Sequence, residues 1–318
     1  MAEQLIFPDA DVLMEEPSRA IVQPGLDARS SLRAAMGAFE AHMQQQGFAE
    51  NTIKAFLSDL NILAQFIGVG TAIGAISTHD LNRFTGWLVR ERGVSCNPKS
   101  LARRVTTLKV FFGWLAEVGV LPFDPAAPVI HKPVMTPLPE ILSVAEVERV
   151  LEVTQTLRHA EKPDARPHLL VTLLLHTGVK KGECIKIVMN HIDLSDPTQP
   201  VLWVRYANPR RQHKERKLRL PVWWPAVLAE YRAQRKKVVP ASLLFPCTAR
   251  NLEYVLAGVA RRAELGHGLS FEMLRWTCAV RDYRAGMPAD KLRQKLGISK
   301  ITWREVGIKI ARLAGPAL

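Results

Sequence analysis

The stretch from Val201 to Val222 holds the densest cluster of charged chemistry in this chain of 318 residues. Its central turn reads NPRRQHKER, and with its flanks it sets Arg205, Arg210, Arg211, Lys214, Arg216, Lys217 and Arg219 against Glu215 alone. One sign of charge this concentrated repels itself unless a polyanion neutralises it, and phosphate is the usual one. A second group, Lys99, Arg103, Arg104 and Lys109, rides on one predicted helix, where Lys99 and Arg103 are a turn apart and share a face. Equipment for breaking bonds is sparser. Ser270 and Thr302 carry hydroxyls with no base placed to activate them. His168, His176, His191, His213 and His267 lack i, i+4 pairing with carboxylates, so neither a metal nor another cofactor is expected. Cys96, Cys184, Cys247 and Cys278 are scattered without close pairing, which fits a reducing cytoplasm.

The whole-chain balance agrees with the local one. Lys and Arg number 43 against 30 Asp and Glu, a net charge of +13, and such a surplus points to nucleic acid as partner. The longest apolar run, Leu169 to Leu175, is too short to cross a bilayer, and the N-terminal residues lack the basic-then-apolar order of a signal peptide. No membrane partner and no export are expected.

The elements that must position these cations can be read from apolar spacing. Residues 1–28 are acidic and broken by Pro8, Pro17 and Pro24, which predicts a flexible arm. Residues 29–121 show helical spacing four times: Leu32, Met36, Phe39 and Met43; then Ile53, Phe56, Leu60 and Leu63; then Leu81, Phe84 and Leu88 behind a capping box of Ser77 and Asp80; then Leu101 to Leu115 behind Asn97 and Pro98. Four helices on short links predict a bundle. The prolines crowding residues 122–141 predict an extended linker. A second domain, 142–318, opens on a capping box of Ser143 and Glu146. It continues through a buried helix near His168 to His176, a small antiparallel sheet from Val201–Ala207 and Lys217–Val222, and helices at Trp224–Val238, Ala249–Arg262, Leu269–Arg284, Pro288–Leu296 and from about Thr302. The fold class is mainly α with a small antiparallel sheet.

Three phrases carry a family resemblance. GFAENTIKAFLSDLNILAQFIG and SLARRVTTLKVFFGWLAEVGVLPFDPA resemble the two ends of the SAM-like core-binding domain of tyrosine recombinases, the phage integrase family, and TPLPEILSVAEVERVLE is similar to the opening of its catalytic domain. The resemblance implies an N-terminal helical domain that holds one side of duplex DNA and a C-terminal α+β catalytic-type domain. It also implies transesterification: a tyrosine attacks a phosphodiester held by two arginines, while a hairpin lysine and histidines serve the leaving oxygen.

Laid on this sequence, the family's catalytic set is degenerate. Its first arginine falls on Lys180 in TGVKKGE, its hairpin lysine on Arg211, its histidine on Glu272, its second histidine on Ile298 and its tyrosine on Gly307; the second arginine is kept as Arg275. No tyrosine follows Tyr283. A carboxylate at Glu272 is expected to pair with Arg275, with Glu183 as the other candidate partner, and Tyr231, Tyr254 and Tyr283 are expected as partly buried aromatics. The cations expected to meet DNA are Lys99, Arg103, Arg104, Lys109, Lys180, Arg210, Arg211, Lys214, Arg216 and Arg275. The resemblance therefore implies a DNA-binding pseudoenzyme, an architectural, regulatory or accessory subunit in recombination or mobile-element integration, cytoplasmic on nucleoid DNA. Its partners would be double-stranded DNA and either an active recombinase or a second copy met through the C-terminal tail. Two alternatives stand beside it: an active recombinase with a displaced or trans-supplied tyrosine, and a protein–protein interaction module without DNA binding.

Overall fold

A computed structural model describes residues 25–129, 137–235 and 237–315, the side chain of Arg210 excepted. The chain divides into two compact units, Met1–Pro137 and Leu138–Leu318. Most of the acidic arm, the middle of the proline-rich stretch and the last three residues of the tail lie outside the described residues.

The first unit is a bundle of α1 (Leu32–Gln45), α2 (Glu50–Ile67), α3 (Thr78–Arg90) and α4 (Pro98–Glu117). Each start is set by local chemistry. Ser31 accepts from the Ala34 amide at 3.2 Å, Ser77 and Asp80 form a reciprocal capping box, and Asn97 accepts from the Ser100 amide at 2.8 Å ahead of Pro98. The apolar stripes meet in one core that includes Phe39, Leu63, Phe84, Phe111 and Phe112, with Phe39 edge-on to Phe111 at 5.3 Å.

Two expectations need correction here. The proline-rich stretch is not an extended linker from Pro122: Leu121, Ala126 and Val129 are buried in the bundle core, and Thr78 Oγ1 donates to the Pro125 carbonyl at 2.8 Å. The apolar residues between the prolines fold that segment back. Arg103 and Arg104 also do not stand on a solvated face of α4. Both turn onto Asp59 of α2, whose side chain is only 2% exposed; Arg103 Nη1 lies 2.6 Å from Oδ2, Arg104 Nε 3.5 Å from Oδ1, and Thr107 donates to Oδ2 at 3.0 Å. Burial raises the Asp59 pKa although both guanidinium groups oppose the shift. Lys99 and Lys109 remain exposed.

The second unit is organised around α6 (Arg166–Thr177), which is buried on nearly every side and so shows a continuous apolar run in place of a stripe. Around it pack α5 (Val144–Arg158), α8 (Trp224–Ala233), α9 (Ala249–Arg262) and α10 (Phe271–Arg284). One turn of helix, α7 (Lys181–Cys184), leads to the sheet: β1 (Ile192–Asp193), β2 (Val201–Val204) and β3 (Arg216–Arg219), antiparallel in that order, with Leu202 opposite Leu218 and Trp203 opposite Lys217. Strand β1 has two residues, too few to show alternation in the sequence. The basic turn between β2 and β3 is a 3-10 helix, Pro209–Lys214. The helix expected to reach Val238 ends at Ala233 instead, and Lys237 takes a left-handed conformation at φ 47°.

Helices α11 (Ala289–Leu296) and α12 (Lys300–Ala314) close the unit. They pack on α10 through Val280, Leu292, Leu296 and Ile310, while Arg284 donates to the carbonyls of Leu313 and Ala314 at the end of α12. This fixes α10, and with it Arg275, between α6 and α12.

Candidate anion-binding site

The site is built where α6 stops. Gly178 ends the helix at φ 60°, and a Cβ there would meet Leu296 at 3.2 Å and the Cys278 sulfur at 3.3 Å, so both backbone conformation and space require glycine. The turn exposes the Gly178 carbonyl to Arg275 Nη1 and leads through buried Val179 to Lys180.

Glu183, 7% exposed, organises the loop and the hairpin beside it. Its Oε2 accepts from the Lys180 amide at 2.8 Å and from Arg216 Nη2 at 2.8 Å; its Oε1 accepts from Arg216 Nη1 at 2.9 Å and from the Tyr206 hydroxyl. Burial pushes the Glu183 carboxyl upward, but the Arg216 fork, the phenol and the Lys180 amide outweigh it and hold the pKa at about 2. The carboxylate is therefore ionised at neutral pH and fully used.

Two guanidinium groups reach the C-terminal end of α11. Arg216 Nε donates to the Lys295 carbonyl at 2.8 Å, and Arg275 Nη2 donates to the Leu296 carbonyl at 2.6 Å. Unpaired carbonyls and the negative end of the helix dipole make this a natural seat for cations. Burial lowers the Arg275 pKa to about 10, with Glu183 opposing, which leaves it charged at neutral pH. A guanidinium has five N–H donors, and the two carbonyls engage two of its nitrogens, so donors remain for a ligand.

Lys180 completes the cluster. Among the described residues its ammonium makes no hydrogen bond or ion pair. Burial lowers its pKa to about 8, and Arg275, Lys214 and Arg216 repel it further against the pull of Glu183. Four cations thus act on one neighbourhood whose carboxylate is already committed, an arrangement that an incoming phosphate would relieve. Arg211 and Lys214 lie on the 3-10 turn, both half-buried, and Lys214 is close enough to Lys180 to lower its pKa.

Several sequence expectations change at this point. Arg216 is not a solvent-facing cation: its side chain is 8% exposed, and its fork is taken by Glu183 and the carbonyls of Lys295 and Lys214. Glu272 does not pair with Arg275; it is exposed and accepts weakly from Trp276 Nε1 at 3.4 Å, because Arg275 turns inward to the carbonyls. Glu183 does not pair with Arg275 either, having taken Arg216. Ile298 packs against the apolar cluster under α12, and Gly307 sits in mid-α12, where a Cβ would meet the Trp303 indole at 3.2 Å. Of the aromatics expected as partly buried, Tyr231 is buried against Phe245, Tyr254 is 61% exposed and Tyr283 39% exposed. The residue that sequence reasoning missed is Tyr206, the one tyrosine hydrogen-bonded to the cluster among the described residues. It stands two positions beyond the end of β2, in step with buried Leu202 and Val204; that spacing puts its ring on the core face but gives no sign of the hydroxyl's partner.

With the geometry in place, comparison with known proteins gives the lineage. Residues 37–119 match the family described as "Phage integrase, N-terminal SAM-like domain", and residues 140–303 match the "Phage integrase family". The chain belongs to the phage integrase family. It is 23% identical over 282 residues to a tyrosine recombinase XerC of Lacticaseibacillus casei (strain BL23), covering 85% of this chain and 92% of the relative. It is 28% identical over 287 residues to the XerC of Roseiflexus sp. (strain RS-1), covering 85% and 87%. Among solved structures, a lambda integrase dimer bound to a COC' core site superposes with a TM-score of 0.66 at 13% identity, over 86% of this chain and 94% of that one. The Tn1549 transposon integrase in complex with transposon right end DNA gives 0.67 at 17% identity, over 90% and 100%. These structures share the fold, mostly helical with a small three-stranded sheet, with this integrase-family chain.

Proposed function

We propose that this member of the integrase family binds duplex DNA through phosphate and does not cut it, serving as an architectural, regulatory or accessory subunit in recombination or mobile-element integration. The observation that carries the reading is the contrast within one site. Lys180 and Arg275 flank a carboxylate already neutralised by Arg216, while the position to which the sequence resemblance assigns the family's nucleophile holds Gly307 and no tyrosine follows Tyr283. Phosphate needs cations and gets them; transesterification also needs a nucleophile, which this position does not supply. The relatives are named recombinases, and the neighbours were solved on DNA, which supports duplex DNA as the polyanion. Lys99 and Lys109 on α4 and Arg211 and Lys214 on the hairpin turn add phosphate contacts. The exposed Ile301 and Ile308 of α12 offer a surface for an active recombinase or a second copy, and the work is done on nucleoid DNA.

A duplex nicked next to the cleavage position tests the reading, because departure of the short fragment traps any phosphotyrosine adduct. The expected result is a salt-sensitive mobility shift with no covalent complex after denaturation. An adduct that disappears in Tyr283→Phe or Tyr206→Phe would overturn it.

The pKa of Lys180 adds a pH dependence. Phosphate is held by the protonated amine, so the Lys180 contribution is complete below about pH 8 and is lost as pH rises above that value. Fluorescence anisotropy at constant ionic strength should show affinity falling between about pH 7 and 9.5. Lys180→Arg, charged throughout that range, should flatten the curve. Parallel curves for the two proteins would remove Lys180 from the interface.

A second reading keeps chemistry in the complex: a tyrosine supplied by a partner protomer. A half-buried amine with a pKa of about 8 is suited to proton transfer, and that observation favours it. The nicked-duplex experiment repeated with an active relative, and with its own tyrosine replaced, separates the two.

A further inference from the structure

Tyr206 is the feature of the cation cluster that phosphate binding does not by itself explain. Its hydroxyl donates to Glu183 Oε1, and its backbone N–H donates to Glu215 Oε1 at 2.8 Å on the far side of the hairpin. The same Glu183 carboxylate holds the Lys180 amide and, through Arg216, the first residue of β3; Arg216 Nη1 also reaches the Lys214 carbonyl at 3.3 Å. One carboxylate thus gathers the loop bearing Lys180, the residue where the chain leaves β2 for the basic turn, and the residue where it returns. Arg216 secures the return through three partners. The Tyr206 hydroxyl is the one side-chain bond from the outgoing arm to Glu183 among the described residues.

Resting on the phosphate reading above, we infer that Tyr206 is a positioning residue: its hydroxyl fixes the outgoing arm of the β2–β3 hairpin to Glu183 and so sets where Arg211 and Lys214 stand relative to Lys180 and Arg275. The phenol is not a hidden nucleophile. Attack would require its proton to pass to Glu183, whose affinity for a proton is very low, and burial beside that negative charge makes the phenol harder to ionise. What the hydroxyl supplies is geometry. Phosphate contacts add only when the cations are spaced to meet successive phosphates, and a turn free to swing loses that match.

Tyr206→Phe removes one oxygen and leaves the ring. Its duplex affinity at about 0.1 M salt should fall roughly five- to tenfold. The slope of log affinity against log salt should also become shallower by about 0.7 to 1, because the turn's cations drop out of register. A purely structural role would lower the unfolding midpoint and leave the salt slope of the folded protein unchanged. The decisive comparison is Tyr206→Phe placed in an Arg211→Ala, Lys214→Ala background. If Tyr206 acts through the turn, it has no further effect on binding there; a full additional loss would overturn the inference. A wild-type protein that does not bind DNA would sink the phosphate reading instead. Hydrogen exchange of the 210–214 amides without DNA then still decides: faster exchange in Tyr206→Phe supports the positioning role, and unchanged exchange ends it.

Discussion

Replacing Glu183 with alanine should lower the unfolding free energy of the second unit by about 3–5 kcal/mol, the cost of leaving a buried charge without its partner. Arg216 would keep the Lys295 carbonyl but lose both bonds to the carboxylate, and Tyr206 and the Lys180 amide would lose their acceptor. For a unit of this size that corresponds to a midpoint lowered by roughly 10 °C. The acid dependence comes from the same carboxylate. Its folded pKa of about 2 lies below the ordinary 4.5, so its stabilisation is fully present above pH 4.5 and is lost as pH falls toward 2. The shift is equivalent to roughly 3 kcal/mol. Denaturant unfolding at about pH 6, 4 and 3 should therefore show a steep loss in the wild type that is much reduced in Glu183→Gln. If both proteins lose stability in parallel across that window, the Glu183–Arg216 pair is not what holds the site together.

Much of the fold is written in local sequence. The four helices of the first unit announce themselves through apolar stripes and through Ser77, Asn97 and Pro98, because helix caps and amphipathic faces are properties of a few neighbouring residues. The run at Leu169–Leu175 likewise shows a buried helix, and TGVKKGE and SFEMLRW bring Lys180, Glu183 and Arg275 into view together. What stayed hidden depends on single long-range partners. Arg103, Arg104 and Arg216 have the same sequence character as the exposed Lys99 and Lys109, yet each turns inward because one buried carboxylate, Asp59 or Glu183, waits for it. Asp59 did leave a trace: it interrupts the apolar face formed by Phe56, Leu60 and Leu63, and a carboxylate on such a face demands cationic partners. The Tyr206 hydroxyl and the carbonyls of Lys295 and Leu296 left none. A backbone carbonyl has no sequence signature, and the spacing that puts the Tyr206 ring in step with Leu202 and Val204 says nothing of where its hydroxyl goes.

Reversing the charges of Arg211 and Lys214 to glutamate should weaken duplex binding more than any other change short of unfolding the protein. Three bonds to the backbone hold the turn: the Arg211 amide to the Asn208 carbonyl at 2.9 Å, the Glu215 amide to the Gln212 carbonyl at 2.9 Å, and Arg216 to the Lys214 carbonyl at 3.3 Å. Each lost phosphate contact makes the salt slope shallower by about 0.9, so losing two is worth on the order of 60-fold near 0.1 M salt. Placing two carboxylates against the phosphate backbone raises the loss toward roughly 1000-fold, because repulsion is added to the missing attraction. Core packing is untouched, so the unfolding midpoint should stay within about 2 °C of the wild type. The measurement is a salt titration of anisotropy from about 50 to 300 mM, run on both proteins. A double variant that binds with the wild-type slope would place the duplex somewhere other than this turn. A wild type that shows no salt-dependent binding would favour a protein–protein module that has kept the integrase fold and left DNA behind.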